Sequence, residues 1–472
     1  MKKSRFKRVI QLELNEISYP VIAKMMAKNE LPNFQMINRR WHFHETTSET
    51  DYDKIEPWIQ WVTAHTGKEF TEHDIYRLGD AHQLKHPQLW ETLSDHGIES
   101  GIIGSMNTIR GNTNGGMFFP DPWAVKNDTY PQNIRPIWDL ISSRVKGHAT
   151  SEVSIIDMLK GLQACISLRI PPRIYITIAK QMFLQKKNKL YKWRLAAIFD
   201  LFQAEIFKSI LNSTNYGYYT LFLNSVAHYQ HHYWRNFDRS PFDPNINYTD
   251  IGADHDPIRF GYKIMDQIIG DVFRMADGDK DTLVLVSSGL SQEPYVEKEA
   301  MGGMNYYRLN DHSAFAKRIG LDEGYEVFPL MSRDWQIKYK GEQRRKEALK
   351  NLSGLTIKGE PLFEIKENTK GFIFIETKFY KGKTIGEFIM DHTGKAICLF
   401  NEVFSNTAIK SGHHRGEGNL WVSKGGFSTI LQEHSFPLAQ LYPLTLEALG
   451  IDLNADFLQD ELDKIDLNKL AN

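Results

Sequence analysis

Strand-like and helix-like segments alternate through the first hundred residues, and no other feature of the chain constrains its fold as strongly. Val9 to Leu14 reads as a buried strand, with a turn at Asn15-Glu16. A helix follows near Val21 to Lys28, and Leu31-Pro32-Asn33 ends it. Pro57 to Thr66 reads as a helix closed by Gly67, and Leu89 to His96 as a shorter one stopped by Gly97. Gly101-Ile102-Ile103-Gly104 is again an apolar strand. Strand followed by helix, repeated, predicts an α/β sheet protein.

The pattern then changes. From Ile137 to Ser213 helical periods dominate, broken at Pro171-Pro172. Tyr218 to Leu223 returns to strand, Phe260 to Met275 is helical, and Thr282 to Val286 is a β-branched strand. Ser291 to Lys395 mixes a helix, Gln343 to Asn351, with strands such as Phe372 to Glu376. Ala396 to Leu453 reads strand, loop, strand, helix. The expected organisation is a core in three pieces (1–130, 215–292 and 396–472) with a helical basic insertion at 131–214 and an α+β cap insertion at 293–395.

Composition narrows the class of function. At ~150 residues per domain, 472 residues predict about three folding units or one large domain with insertions. A net charge of -1 argues against a general nucleic-acid binder, and no nucleic-acid partner is expected. No apolar run approaches the roughly 20 residues a membrane span needs. The start, MKKSRFKRVIQLELNE, has a basic head without an apolar h-region, so no secretory signal is expected. Two cysteines, Cys165 and Cys398, exclude a disulfide framework and fit a cytoplasmic protein with reduced thiols.

Two histidine clusters carry the candidate chemistry. His228, His231 and His232 follow directly on the strand ending at Leu223. Sheet proteins place ligands at strand ends, and neutral imidazole is a good ligand for zinc and similar metals. The other reading is that these rings cap a helix or pack against Trp234. The second cluster, Ser411-Gly412-His413-His414-Arg415, lies in a glycine-rich loop before the strand Asn419 to Val422. His231, His232 and Arg415 are candidates to line a cleft.

In this order the motifs resemble the alkaline phosphatase superfamily, nearest to its type I phosphodiesterase/nucleotide pyrophosphatase branch. Arg8 to Glu16 with Leu31-Pro32-Asn33 resembles that family's first strand, metal-binding aspartate and helix. Trp61 to Gly67 with His73 to Ile75 resembles the segment after its nucleophile, and Trp90 to Gly101 its next helix and strand. Asn224 and His228 have the spacing of its Asp-x-x-x-His ligand pair. Ser288-Gly289 stands where it carries an Asp-His pair, Gly412 to Arg415 matches its final histidine ligand, and Leu441 to Leu449 resembles its closing helix. The resemblance implies a three-layer α/β core on a largely parallel sheet, with the two insertions over the C-terminal strand ends. It also implies an anionic small-molecule partner, a phosphate or sulfate ester.

The departures from that pattern concern the metals. The family holds two divalent ions around a Ser or Thr nucleophile. Here the first aspartate position is Asn15, the later Asp-His pair is Ser288-Gly289, and the nucleophile position falls within Ile55-Glu56-Pro57, which offers no hydroxyl. One ion's ligand set is therefore dismantled. The other would rest on Asn224, His228 and one of His413 or His414, which implies at most one divalent ion, zinc or manganese. Glu56 is the remaining candidate for a catalytic group, and Glu13 is expected one pleat away or on the opposite face. Thr63 and Thr66 lie along the helix, where back-bonding within a turn is expected. Two functions stay open: a divergent phosphoester or sulfoester hydrolase or group-transfer enzyme with an altered single-metal site, and a metal-poor pseudoenzyme that binds a glycan, lipid-linked phosphate or protein partner.

Residues 168–194 hold eight basic side chains and no acid. They read either as a surface for anionic lipid or glycan, peripheral at a membrane, or as a solvated helical face. Tyr306, Arg308 and Asp311-His312 either line the cleft or cap a helix starting near Ser313.

Overall fold

The computed structural model describes residues 5–145, 154–246, 251, 255–321, 323–330, 333–367, 371–382, 384–427 and 435–452. Leu453, the expected end of the last segment, lies outside these residues. The chain divides into two compact units: one holds residues up to Gln230, Asp256–Glu293 and the segment from His414 onward, the other His231–His255 and Pro294–His413.

The first unit runs β1 (Arg8–Leu14), α1 (Tyr19–Met26), α2 (Pro32–Arg40), β2 (His42–Thr47), α3 (Pro57–Thr66), α4 (Leu89–Asp95), β3 (Ser100–Ile103) and β4 (Met117–Phe119). It continues through α5 (Arg135–Val145), α6 (Ile155–Ser167), α7 (Pro172–Lys187), α8 (Leu195–Ser213) and β5 (Tyr218–Leu223). Helix α9 (Ser225–Phe237) leads out of it; α10 (Pro257–Ala276), β6 (Thr282–Ser288), β7 (Gly418–Val422), β8 (Ser435–Pro437) and α11 (Leu441–Ala448) complete it. The eight strands form one sheet in the order β8-β2-β7-β6-β1-β5-β3-β4. Strand β1 pairs in parallel with β5 and β6, whereas β7 runs antiparallel to β6 and β2. This is a mixed α/β fold on a large, mostly parallel sheet.

Parallel pairing brings the carboxyl ends of β1, β5 and β6 to one edge, and the reversal of β7 brings its amino end there, with Asn419 opposite Ser288. Residues far apart in the chain thereby meet. One face of the sheet packs Val9, Tyr218 and Leu283 against α3, α4 and α11. On the other lie α8 and α10, which touch β5, β6 and each other.

Helix α3 shows how local sequence sets this geometry. Glu56 is extended, as a residue before proline prefers, and Pro57 opens the helix where no intrahelical donor is needed. Gly67 ends it at φ +66°, and a Cβ there would sit 3.0 Å from Tyr442, so both backbone and space call for glycine. Thr63 and Thr66 bond back to the carbonyls of Ile59 and Val62, as expected. Beneath α3 the central strand buries a polar row. Tyr218 donates to Gln11 (3.0 Å), Gln11 donates to Ser287 (3.3 Å), and Glu13 meets His65 at 2.8 Å. Glu13 thus lies one pleat below Asn15, on the same face.

The second unit is antiparallel. One sheet orders Phe363–Glu367, Phe372–Thr377, Trp335–Tyr339 and Tyr325–Pro329; another orders Glu360–Pro361, Thr356–Ile357, Phe388–Met390 and Ala396–Leu399. Its core is aromatic: Phe400 stacks on Phe404 with centroids 4.6 Å apart, and Phe315 and Trp335 pack edge-on. Asp311 caps the helix His312–Arg318 by accepting from the Ala314 amide.

His312 is buried against Trp335, and burial, reinforced by the charge of Arg308, pushes its pKa down to about 4. In the unfolded chain the ring takes up its proton near the ordinary 6.5. This contribution to stability is therefore present above about pH 6.5 and lost as pH falls toward 4, roughly 3 kcal/mol in all. His312→Gln is expected to shift the acid unfolding of the second unit to lower pH, read by hydrogen exchange of the strand Trp335–Tyr339. An unmoved acid midpoint would refute this account.

Candidate functional site

At the shared strand edge, Asn15 ends β1 and Asn224 ends β5, and the two side chains are hydrogen-bonded. Asn15 Nδ2 donates to Asn224 Oδ1 at 2.8 Å and to Glu16 Oε1 at 2.9 Å. The Trp61 indole, which can only donate, meets Asn15 Oδ1 at 2.9 Å. That contact fixes which way the amide faces. Its carbonyl is turned to Trp61 and its two N–H groups to Glu16 and Asn224. A group that ligates a cation must present a lone pair; Asn15 presents donors to its neighbours.

The positions at the end of β6 are equally committed. The Ser288 hydroxyl donates to the Leu290 carbonyl, and the Ser288 carbonyl accepts from Thr46 Oγ1 at 2.7 Å. A Cβ on Gly289 would lie 3.0 Å from both Gln60 Cβ and Leu438 Cδ2, so neighbouring side chains fill the space a histidine would need.

Glu16 is the residue that sequence reasoning passed over. It is buried and holds φ +56°, a conformation uncommon outside glycine and costly to maintain. Its surroundings impose this conformation. Its carboxylate accepts from Asn15 and Gln292, and its carbonyl accepts from Gln230 Nε2 at 2.7 Å. Tyr262 anchors the far end by donating to Gln230 Oε1 at 2.8 Å and accepting from the Ser18 amide at 2.7 Å. The one signal in the sequence was a carboxylate immediately after the aspartate position.

His414 stands between two carboxylates, with Nε2 3.3 Å from Glu16 Oε2 and Nδ1 3.5 Å from Glu56 Oε2. Glu56 occupies the N-cap position of α3, yet its side chain makes no capping bond. Successive residues of a strand point to opposite sides. His413 accordingly does not share the surroundings of His414; its ring packs edge-on against Tyr295 at 5.4 Å. His228 is exposed, one helical turn beyond Asn224, and its amide bonds the Asn224 carbonyl. His231 lies in the second unit, with Nδ1 3.3 Å from the Gly412 carbonyl, and His232 packs edge-on against Tyr306. Arg415 pairs with Glu417 at 2.7 Å on the surface.

Asp200, on α8, was also unremarked. It is buried and accepts from the backbone amides of Asn224 (3.2 Å) and Ser225 (3.0 Å), which fixes the turn from β5 into α9. Burial raises its pKa to about 6 although those hydrogen bonds oppose the rise.

Asn15, Ser288 and Gly289 carry no charged side chain, and the Asn15 amide and the Ser288 hydroxyl donate to protein partners. Glu16 and His414 form a carboxylate–imidazole pair able to hold one divalent cation, with water or a bound anion completing its coordination.

The chain is similar to several solved structures. Phosphonoacetate hydrolase from Sinorhizobium meliloti 1021, solved with phosphonoformate, is 12% identical, with 95% of this chain and 100% of that chain covered and a TM-score of 0.44. Human ectonucleotide pyrophosphatase/phosphodiesterase 5 is 11% identical, covering 94% of this chain and 95% of that one, also with a TM-score of 0.44. A TAB5 alkaline phosphatase mutant with magnesium bound is 10% identical, covering 96% and 100%, with a TM-score of 0.42. No protein-family model and no curated protein matches the chain.

Proposed function

We propose that this chain is a divergent, non-hydrolytic protein on an alkaline-phosphatase-like fold, which binds an anionic phosphate or sulfate ester through at most one divalent cation on Glu16 and His414. The observation that carries the reading is the Asn15 amide, which directs hydrogen-bond donors at Glu16 and Asn224. Two-metal hydrolysis needs one ion to activate the nucleophile and another to take up charge developing on the leaving side. No hydroxyl stands at Ile55-Glu56-Pro57, and Glu16 and His414 bring a carboxylate and an imidazole together at one position. Without a cation, Glu16 and Glu56 repel an anion, so ester binding depends strictly on the ion.

The test uses the full-length protein with zinc, manganese and magnesium in turn. Nitrophenyl phosphate, bis-nitrophenyl phosphate and nitrophenyl sulfate are expected to turn over no faster than in buffer. Calorimetry is expected to show one ion per chain at most, weakened by Glu16→Gln, and inorganic phosphate binding only when the ion is present. Two tightly held ions, or turnover abolished by His414→Ala, would overturn the proposal. A second reading rests on Glu56 standing 3.5 Å from His414: a group-transfer enzyme in which Glu56 is base or nucleophile. Turnover lost in Glu56→Gln but with one ion still bound would favour it.

A further inference from the structure

Helix α6 is turned inside out. Its inward residues are the small ones: Gly161, Ala164 and Cys165 are buried, and a Cβ on Gly161 would lie 2.3 Å from Leu140 of α5. Its outward residues are the large apolar ones. Ile155, Leu159, Leu162 and Ile166, spaced four, three and four apart, form one face and are 72%, 60%, 46% and 64% exposed. Single exposed apolar residues are ordinary, but a full helical stripe of them is not.

Helix α7 follows α6 in the chain and carries a second exposed stripe. Arg173, Ile176, Lys180, Phe183 and Lys187 are spaced three, four, three and four apart, so basic and apolar side chains alternate along one exposed stripe, in which Arg173 is paired with Glu205 at 2.9 Å. Lys187 Nζ lies over the Phe183 ring, 4.5 Å from its centroid, so a basic and an apolar side chain adjoin on this stripe. Charge complementarity selects the occupant. No acid occurs from 168 to 194, and on α6 Asp157 is tied to the Ser154 hydroxyl at 2.7 Å. An apolar protein groove would have to bury the interleaved lysines unpaired. A soluble polyanion would leave the exposed isoleucines, leucines and phenylalanine in water. An anionic bilayer satisfies both, with apolar side chains in the acyl boundary and ammonium groups at the lipid phosphates.

We infer that α6 and α7 form a docking surface for an anionic lipid bilayer. No helix among the described residues is long and apolar enough to cross a membrane. The inference is independent of the chemistry at Glu16 and His414.

The experiment is flotation of the full-length protein with vesicles of phosphatidylcholine alone and of phosphatidylcholine with one-third phosphatidylglycerol. Binding is expected only to the anionic vesicles and is expected to weaken as salt is raised. Lys186→Glu with Lys187→Glu should weaken it by at least about tenfold. Leu159→Ser with Phe183→Ser should weaken it comparably. All four positions are exposed, so circular dichroism and the melting midpoint should stay unchanged. Three results would overturn the inference: no flotation with anionic vesicles, equal flotation with neutral ones, or flotation unaffected by either pair. A vesicle-free dimer in sedimentation velocity that Leu159→Ser dissociates would assign the face to a second copy instead, and would also overturn it.

Discussion

Glu13→Ala is expected to destabilise the first unit by about 3–5 kcal/mol, because it leaves His65 buried without its partner. Glu13 and His65 are 0% and 1% exposed, at the centre of the packing between β1 and α3. Trp61 stacks on the imidazole at 5.9 Å and Trp90 lies 5.2 Å from it, so water cannot enter to replace the lost carboxylate without disturbing both rings. The pair is also incompletely satisfied. Among the described residues, Glu13 Oε2 and His65 Nδ1 have no hydrogen-bond partner. An incomplete buried pair contributes little net stability, yet breaking it on one side is costly. The double variant Glu13→Leu with His65→Leu is therefore expected to recover most of the loss. Urea unfolding of the two single variants and the double variant measures this. Singles that each lose less than about 1 kcal/mol, or a double no better than the singles, would refute it.

Glu13 also marks where the sequence could be read and where it could not. Strand β1, helix α3 and strand β5 were legible because apolar runs, Pro57 and Gly67 punctuate them. Strand β2, His42–Thr47, was not legible, since His-Phe-His-Glu-Thr-Thr has no apolar run and owes its conformation to pairing with β7. The reversed direction of β7 is a tertiary outcome that no local period encodes. At the site, the spacing of Asn224 and His228 resembled that of an Asp-x-x-x-His ligand pair. The turn fixed by Asp200, however, begins α9 in a phase that buries Val226, Ala227 and Tyr229 and leaves His228 outside. Adjacent histidines at 413 and 414 suggested interchangeable ligands, but the pleat separates them, and only His414 faces Glu16. Glu16 escaped notice because its role depends on a left-handed backbone and on Gln292 and Gln230, both distant in sequence.

Placing carboxylate or imidazole side chains at Asn15, Ser288 and Gly289 is expected to damage the protein without creating a hydrolase. Asn15→Asp puts a second carboxylate beside Glu16 and removes the N–H groups that now satisfy Glu16 Oε1 and Asn224 Oδ1. Like charges then face each other in a buried site, and the expected cost is about 2–4 kcal/mol at neutral pH. The deficit should shrink as pH is lowered and one carboxyl of the coupled pair takes up a proton. Gly289→His meets a steric obstacle instead. Its Cβ would sit 3.0 Å from Gln60 Cβ and Leu438 Cδ2, and Gln60 belongs to α3 while Leu438 belongs to the packed core. Overpacking of this kind costs about 1–3 kcal/mol. The ring would displace those side chains rather than occupy a waiting pocket. Combining both changes with Ser288→Asp puts carboxylates at 15 and 288 and an imidazole at 289, yet the Trp61 N–H still holds one oxygen of residue 15. Denaturation midpoints and elemental analysis of the single and triple variants decide the matter. Loss of stability with no gain of a second ion is the expected result. A triple variant that binds two ions and hydrolyses nitrophenyl phosphate would show that only the side chains, and not the packing around them, had diverged.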